Sequence, residues 1–92
     1  MTIEYADSAL AALETVEAFI LARFTEREVA AMRGLLDQFA ERVEVSPTLY
    51  AKLPRHPDVH KAVLHFRLVI VYQIVAPDHI IVIDAWDTRQ DR

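Results

Sequence analysis

The sequence predicts an α+β domain: an N-terminal strand, an antiparallel helical hairpin, then a three-stranded antiparallel meander. Three observations lead there. Apolar residues recur every three or four positions between Ala9 and Val43. Pro47, Pro54 and Pro57 then interrupt the pattern. Beyond them β-branched residues dominate, divided by the turn-forming Ala76-Pro77-Asp78.

Thr2–Ala6 alternates β-prone residues, with Ile3 and Tyr5 on one side, and reads as a short first strand. Asp7 or Ser8 is expected to cap the helix that follows. From Ala9 to Phe24 the stripe is Leu10, Leu13, Val16, Ile20 and Phe24, with Glu14 and Glu17 beside it. Thr25-Glu26-Arg27-Glu28 has the spacing of a capping box, in which Thr25 accepts from the Glu28 backbone and Glu28 reaches back. Glu26 and Glu28 are therefore structural in this reading, as Glu14 and Glu17 are on water-facing turns. The second helix carries Val29, Met32, Leu36, Phe39 and Val43, and its short junction with the first makes a hairpin. Gly34 costs the helix about 1 kcal/mol relative to Ala, and close helix–helix approach is the expected reason for it.

An irregular connection is expected from Val45 to Val59, with Tyr50 and Leu53 tucked under the domain. Val59–Phe66, Arg67–Val75 and His79–Asp84 follow as strands, antiparallel because their turns are short. In the middle strand Leu68, Ile70, Tyr72 and Ile74 share one face, and Arg67, Val69, Val71 and Gln73 share the other. Both are apolar over the centre, which calls for cover on both sides. One helical hairpin covers one face. The second must meet the proline-rich connection, another copy of the chain, or a partner, and the polar middle of that connection favours a partner.

Composition narrows the function. The 92 residues suit one domain, spanning 1–92, that buries roughly 60–65% of its unfolded surface. With no cysteine there is no disulfide, thiolate metal site or thiol nucleophile, in keeping with a reducing cytosol. The start has no basic and apolar leader pattern, and no apolar run is long enough for a membrane span. A single glycine excludes a glycine-rich phosphate loop. The net charge of −4 argues against a broad nucleic-acid face. His56 and His60 have i, i+4 spacing, with His65 beyond, but Pro57 intervenes and no third ligand is near; they read as solvated loop histidines, and no metal or cofactor is expected.

Three segments carry a family resemblance. Ala9-Leu10-Ala11-Ala12-Leu13-Glu14 looks like the start of the first helix in ParE-like toxins. Phe66-Arg67-Leu68-Val69-Ile70-Val71-Tyr72 is similar to an aromatic-Arg-aliphatic-Tyr central strand. Ile83-Asp84-Ala85-Trp86-Asp87-Thr88-Arg89-Gln90 resembles a closing strand running into an Arg-containing tail. In this order they resemble the RelE/ParE superfamily of type II toxin–antitoxin systems. The resemblance implies a cytoplasmic, growth-inhibiting toxin, of the kind involved in plasmid stabilization, held by a cognate antitoxin that wraps its surface. DNA would be met only through the antitoxin, and no membrane is involved.

Two branches of that superfamily differ in chemistry. RelE-like members cut messenger RNA on the ribosome, which without a metal needs a base, cations for the phosphorane and an acid. Arg67, Arg89, His65 and Lys61 are the candidates here. ParE-like members act on DNA gyrase and are not known as nucleases. After Trp86 the chain offers only Asp87, Thr88, Arg89, Gln90, Asp91 and Arg92, so the Tyr or His that the nucleases carry near the C-terminus is missing. Their key arginine lies three residues before the strand Tyr, where this chain has Val69; Arg67 lies a strand repeat of roughly 7 Å away. The ParE-like, binding branch is therefore favoured, with an endoribonuclease or a non-toxic homologue as alternatives. The expected partner-binding set is Arg67, Val69, Val71, Gln73, Trp86 and Arg89. Trp86 fits an interface anchor and core packing equally, and Arg67 and Arg89 can also pair simply with Asp84 or Asp87.

Overall fold

The elements follow one another as β1 (Thr2–Tyr5), α1 (Asp7–Arg23), α2 (Glu26–Val45), β2 (Ala51–Leu53), β3 (His56–Leu64), β4 (Leu68–Ala76) and β5 (His79–Asp87). This is a computed structural model, and it describes residues 1–90; Asp91 and Arg92, the end of the tail considered above, lie outside the described residues. The strands form one mixed sheet in the order β1-β5-β4-β3-β2. β2 to β5 run antiparallel to their neighbours, whereas β1 pairs parallel with β5, Thr2 opposite His79 and Tyr5 opposite Val82. A parallel pair needs a crossover, and the helical hairpin lies between its first and second strands.

The expected three-strand meander is thus one strand too small. Ala51–Leu53, expected within an irregular connection, pairs with the first half of β3, and β3 starts at His56 instead of Val59. Pro57 is tolerated because the β2–β3 register shifts between Lys52 and Leu53, beside it.

The helix ends also differ from expectation. α1 is entered from Ala6 without a side-chain cap, and the Ser8 hydroxyl donates to the Ile83 carbonyl at 2.7 Å, which ties the helix to the sheet. Thr25 occupies the N-cap of α2, but the capping box does not close; the Glu28 N–H bonds to the Thr25 carbonyl and the Glu28 side chain goes elsewhere. On α1 the buried residues are Ala9, Val16 and Ile20, while Leu10 and Phe24 are about half exposed. Ala9 lets the helix approach β5 and β1, which displaces the larger Leu10 from the interface.

α2 stands farther from the sheet, and Met32, Phe39 and Val43 fill the space beneath it. A Cβ placed on Gly34 would meet nothing within 4 Å. The glycine therefore serves no close helix–helix approach, contrary to the expectation.

At one end of the molecule the core is aromatic. Phe39 meets the Tyr72 ring edge-on at 5.3 Å and stacks on Tyr50 at 6.0 Å. His60, expected as a solvated loop residue, is buried in β3 and stacks on Tyr72 at 5.3 Å. Its Nδ1 faces the Tyr50 carbonyl at 2.8 Å; a carbonyl only accepts, so Nδ1 carries the proton. The Tyr72 hydroxyl donates to the Pro47 carbonyl at 2.6 Å. Burial and the neighbouring Tyr50 push that hydroxyl up to about 12. These contacts hold the proline-rich connection on the helix side of the sheet.

Candidate functional site

Two regions carry the residues singled out by the sequence: the uncovered sheet face and the end of the helical hairpin opposite the aromatic cluster.

The uncovered face follows from strand parity. Val69 pairs with Val63 and Trp86, Val71 with Lys61 and Asp84, and Gln73 with Val59 and Ile81, so these side chains share one side of the sheet. Both helices lie on the other side, with Ile70, Tyr72, Ile80, Val82 and Ala85. The connection is also on that other side, through Tyr50 and Pro47. Among the described residues no element covers the Val69 face. Val69 and Val71 are nevertheless only 3% and 8% exposed, because side chains of the flanking strands close over the central one. Val63 is half exposed, and the Lys61 ammonium sits 5.7 Å from the centre of the Trp86 ring.

The position of Trp86 depends on one bulge. The β4–β5 register slips between Val71 and Tyr72, leaving Ile83 as an extra residue. Ile80 and Val82 point inward before it, Ala85 and Asp87 after it. Without the bulge Trp86 would share the core parity of Val82. With it, Trp86 turns to the open face and Asp87 enters the interior, where it is 2% exposed.

The second region contains the arginines. Arg67, expected on β4 with Val69, lies in the β3–β4 turn. Its N–H bonds to the Leu64 carbonyl and closes a turn whose central residues, His65 and Phe66, have φ of 51° and 60°. Such values suit the tight twist of a hairpin, but they are uncommon for His and strained for Phe, at roughly 1–2 kcal/mol each. Thr88 secures the turn: its hydroxyl donates to the Phe66 carbonyl and its N–H to the Arg67 carbonyl. The turn releases Arg67 from strand parity, and its guanidinium reaches α2, where Nη1 donates to Glu28 Oε2 at 2.9 Å.

Arg89 comes from beyond β5 to the same carboxylate oxygen, with Nη1 at 4.0 Å. It is held chiefly by Asp87, whose two oxygens accept from its Nε and Nη2 at 2.9 and 2.8 Å, while its backbone N–H donates to Oδ1 at 2.8 Å. Burial pushes the Asp87 carboxyl up, but the hydrogen bonds from Arg89 and the charges of Arg89 and Arg67 outweigh it and hold it below its usual range. The Asp87 hydrogen bond correspondingly raises Arg89. The Arg89 guanidinium also lies 4.3 Å over the Phe24 ring, Phe24 meets Phe19 edge-on, and Arg23 lies 4.6 Å over Phe19.

Beneath this rim is a socket of about 150 Å³ walled by Ile20, Ala31, Met32, Leu35 and Leu68, with His65 at its edge. Arg67, Arg89 and His65 thus gather on the helix side. Lys61 does not: it lies with Trp86 on the opposite face, because it shares parity with Val71. Of the expected partner-binding set, Val69, Val71, Gln73 and Trp86 share the open face, while Arg67 and Arg89 belong to the socket. The Arg89–Asp87 pair is one that the sequence offered. Glu28 is the residue that sequence reasoning missed: its spacing fits a cap, and no local signal separates the two roles.

No family model and no curated protein matches the chain. Among solved structures it is similar to a chain of the chromosomal ParDE TA system from P. aeruginosa, with a TM-score of 0.72 and 13% sequence identity over 95% of each chain. At that identity the likeness establishes a shared fold, of the RelE/ParE type, and the shared coverage extends it to nearly every element.

Proposed function

We propose that this chain is the toxin of a type II toxin–antitoxin pair, a single cytoplasmic domain that acts by contact and is neutralised by a cognate antitoxin laid over its open sheet face. The observation that carries this reading is that face: Val63 is half exposed on it, beside Trp86, and no further element among the described residues packs over the layer that holds Val69 and Val71. Exposed apolar patches on small proteins mark interaction sites. The fold likeness to a chain of the ParDE TA system supports an antitoxin as the occupant. No helix among the described residues is long and apolar enough to cross a membrane.

The state of the cations supports a contact mechanism over RNA cleavage. Arg89 is held by the buried Asp87, and Lys61 is on the other side of the sheet from Arg67 and Arg89. A phosphorane-stabilising cluster needs its cations aimed at one developing charge. DNA gyrase is the target this reading favours.

The test is induced expression, alone and with the antitoxin. Growth arrest with filamentation, relieved by the antitoxin, is expected, together with inhibition of gyrase supercoiling by the purified protein. Cleavage of messenger RNA in a translating extract, abolished by Arg67→Gln or Arg89→Gln, would overturn the contact mechanism in favour of the ribosome-dependent nuclease. Normal growth with expression verified would remove the toxin reading altogether.

A further inference from the structure

We propose that the arginine-rimmed socket is a second binding site, for a protein segment that presents one aliphatic side chain beside a carboxylate. The proposal stands apart from the toxin reading, because the socket lies on the helix side of the sheet and the open face on the other.

The socket's shape sets the apolar half of the ligand. A volume of about 150 Å³, with Ile20, Ala31, Met32, Leu35 and Leu68 as its apolar walls and Glu28, His65, Arg67, Asp87 and Arg89 as its polar ones, takes one aliphatic or small aromatic side chain against the apolar part. Met32 is an adaptable wall.

The rim sets the polar half. Glu28 Oε2 has two guanidinium groups facing it, Arg67 at 2.9 Å and Arg89 at 4.0 Å. Arg89 is fixed in place by the buried Asp87, which also borders the socket, so the Arg89 guanidinium is preorganised. For Arg67 the ion pair is with Glu28, and the two side chains are only partly buried, at 42% and 30% exposed. Exposed ion pairs are weak. An incoming carboxylate can therefore take the place of Glu28 between the two arginines while its neighbouring side chain enters the socket. Glu28 acts as an internal stand-in for the ligand's carboxylate.

The surroundings extend the fit. Arg23, stacked on Phe19, and Arg89, stacked on Phe24, continue a cationic and aromatic row away from the rim in a protein whose net charge is −4. On the other side Phe66 is 86% exposed on its strained turn. Arginines and aromatics are the side chains that dominate protein interfaces, and the row complements an acidic segment. A nucleic-acid strand fits less well. The socket's aliphatic walls take a side chain and offer a base no flat platform inside the cavity.

The probe is N-acetyl-leucine, which carries an isobutyl side chain and a carboxylate, compared with N-acetyl-leucinamide. Binding to the intact chain is followed through the Met32 methyl and the arginine Nε–H signals. Saturable shifts at Met32 and Arg67 are expected in the millimolar range, and the amide should bind about tenfold more weakly for want of the charged hydrogen bonds. Glu28→Gln, which removes the competing charge, should tighten the acid about threefold. Arg67→Gln should bring the acid to the level of the amide, and Arg67→Lys, which keeps charge and fold, should fall between. Equal binding of acid and amide, absence of a shift at Met32, or displacement of the acid by a short oligothymidylate would each overturn the proposal.

Discussion

The two faces of the sheet bury the same central strand by different means. On the helix side, Ile70 and Tyr72 are fully buried under side chains that arrive from α1, α2 and the proline-rich connection. On the other side, Val69 and Val71 are nearly as buried, yet only their neighbours within the sheet close over them. The first kind of burial joins residues distant in sequence and sustains the fold. The second is one layer deep and leaves Val63 half exposed at the surface. Burial of a residue thus does not by itself say whether its face is finished.

The largest effect that can break this comparison is at Phe39, which contacts both Tyr72 and Tyr50. Phe39→Ala should cost about 3–5 kcal/mol in urea unfolding. A cost near that of a surface change would mean that the helix side is not the closed one.

Asp87 stands on the closed side only because of the bulge. Asp87→Asn should cost about 2 kcal/mol at neutral pH, by weakening its hydrogen bonds to Arg89. The folded-state pKa of Asp87 lies below its ordinary 3.8. Its contribution is therefore complete above that value and is lost as the pH falls through the folded pKa. The gap between wild type and variant should narrow in acid, and a gap that widens there would contradict the pairing.

Gly34 sharpens the description of α2 as the helix that stands off. Gly34→Ala should raise stability by about 1 kcal/mol, since its Cβ meets nothing and helix propensity favours Ala. A loss of stability would point to a close neighbour at that position.

The smallest effect is expected on the open face. Val63→Ser should change unfolding free energy by less than about 0.5 kcal/mol. The same variant should weaken antitoxin capture in a pull-down, which separates a contact surface from a folding surface.

Much of the fold was legible in the sequence because it rests on local periods. The 3.6-residue stripe through Val16, Ile20, Val29, Met32, Phe39 and Val43 marked both helices, and the β-rich run after Arg67 marked the central strand. Alternation along that strand also identified Val69 and Val71 as the second face. The sequence could not show β2, because three residues carry no readable period; their state is decided by pairing with β3. Nor could it show which way Trp86 and Asp87 point. A strand's period of two is reset by one extra residue, and Ile83 looks like any other strand residue until its partner strand is present. The arginine cluster was hidden for a related reason. Arg67 and Arg89 are visible as residues, but a turn frees one from strand parity, the bulged strand carries the other to the helix side, and Glu28 joins them from 39 positions before Arg67. The local periods are written in the amino-acid order. Where they are interrupted, and hence what stands beside each interruption, follows from the pairing of strands and the packing of helices in the folded chain.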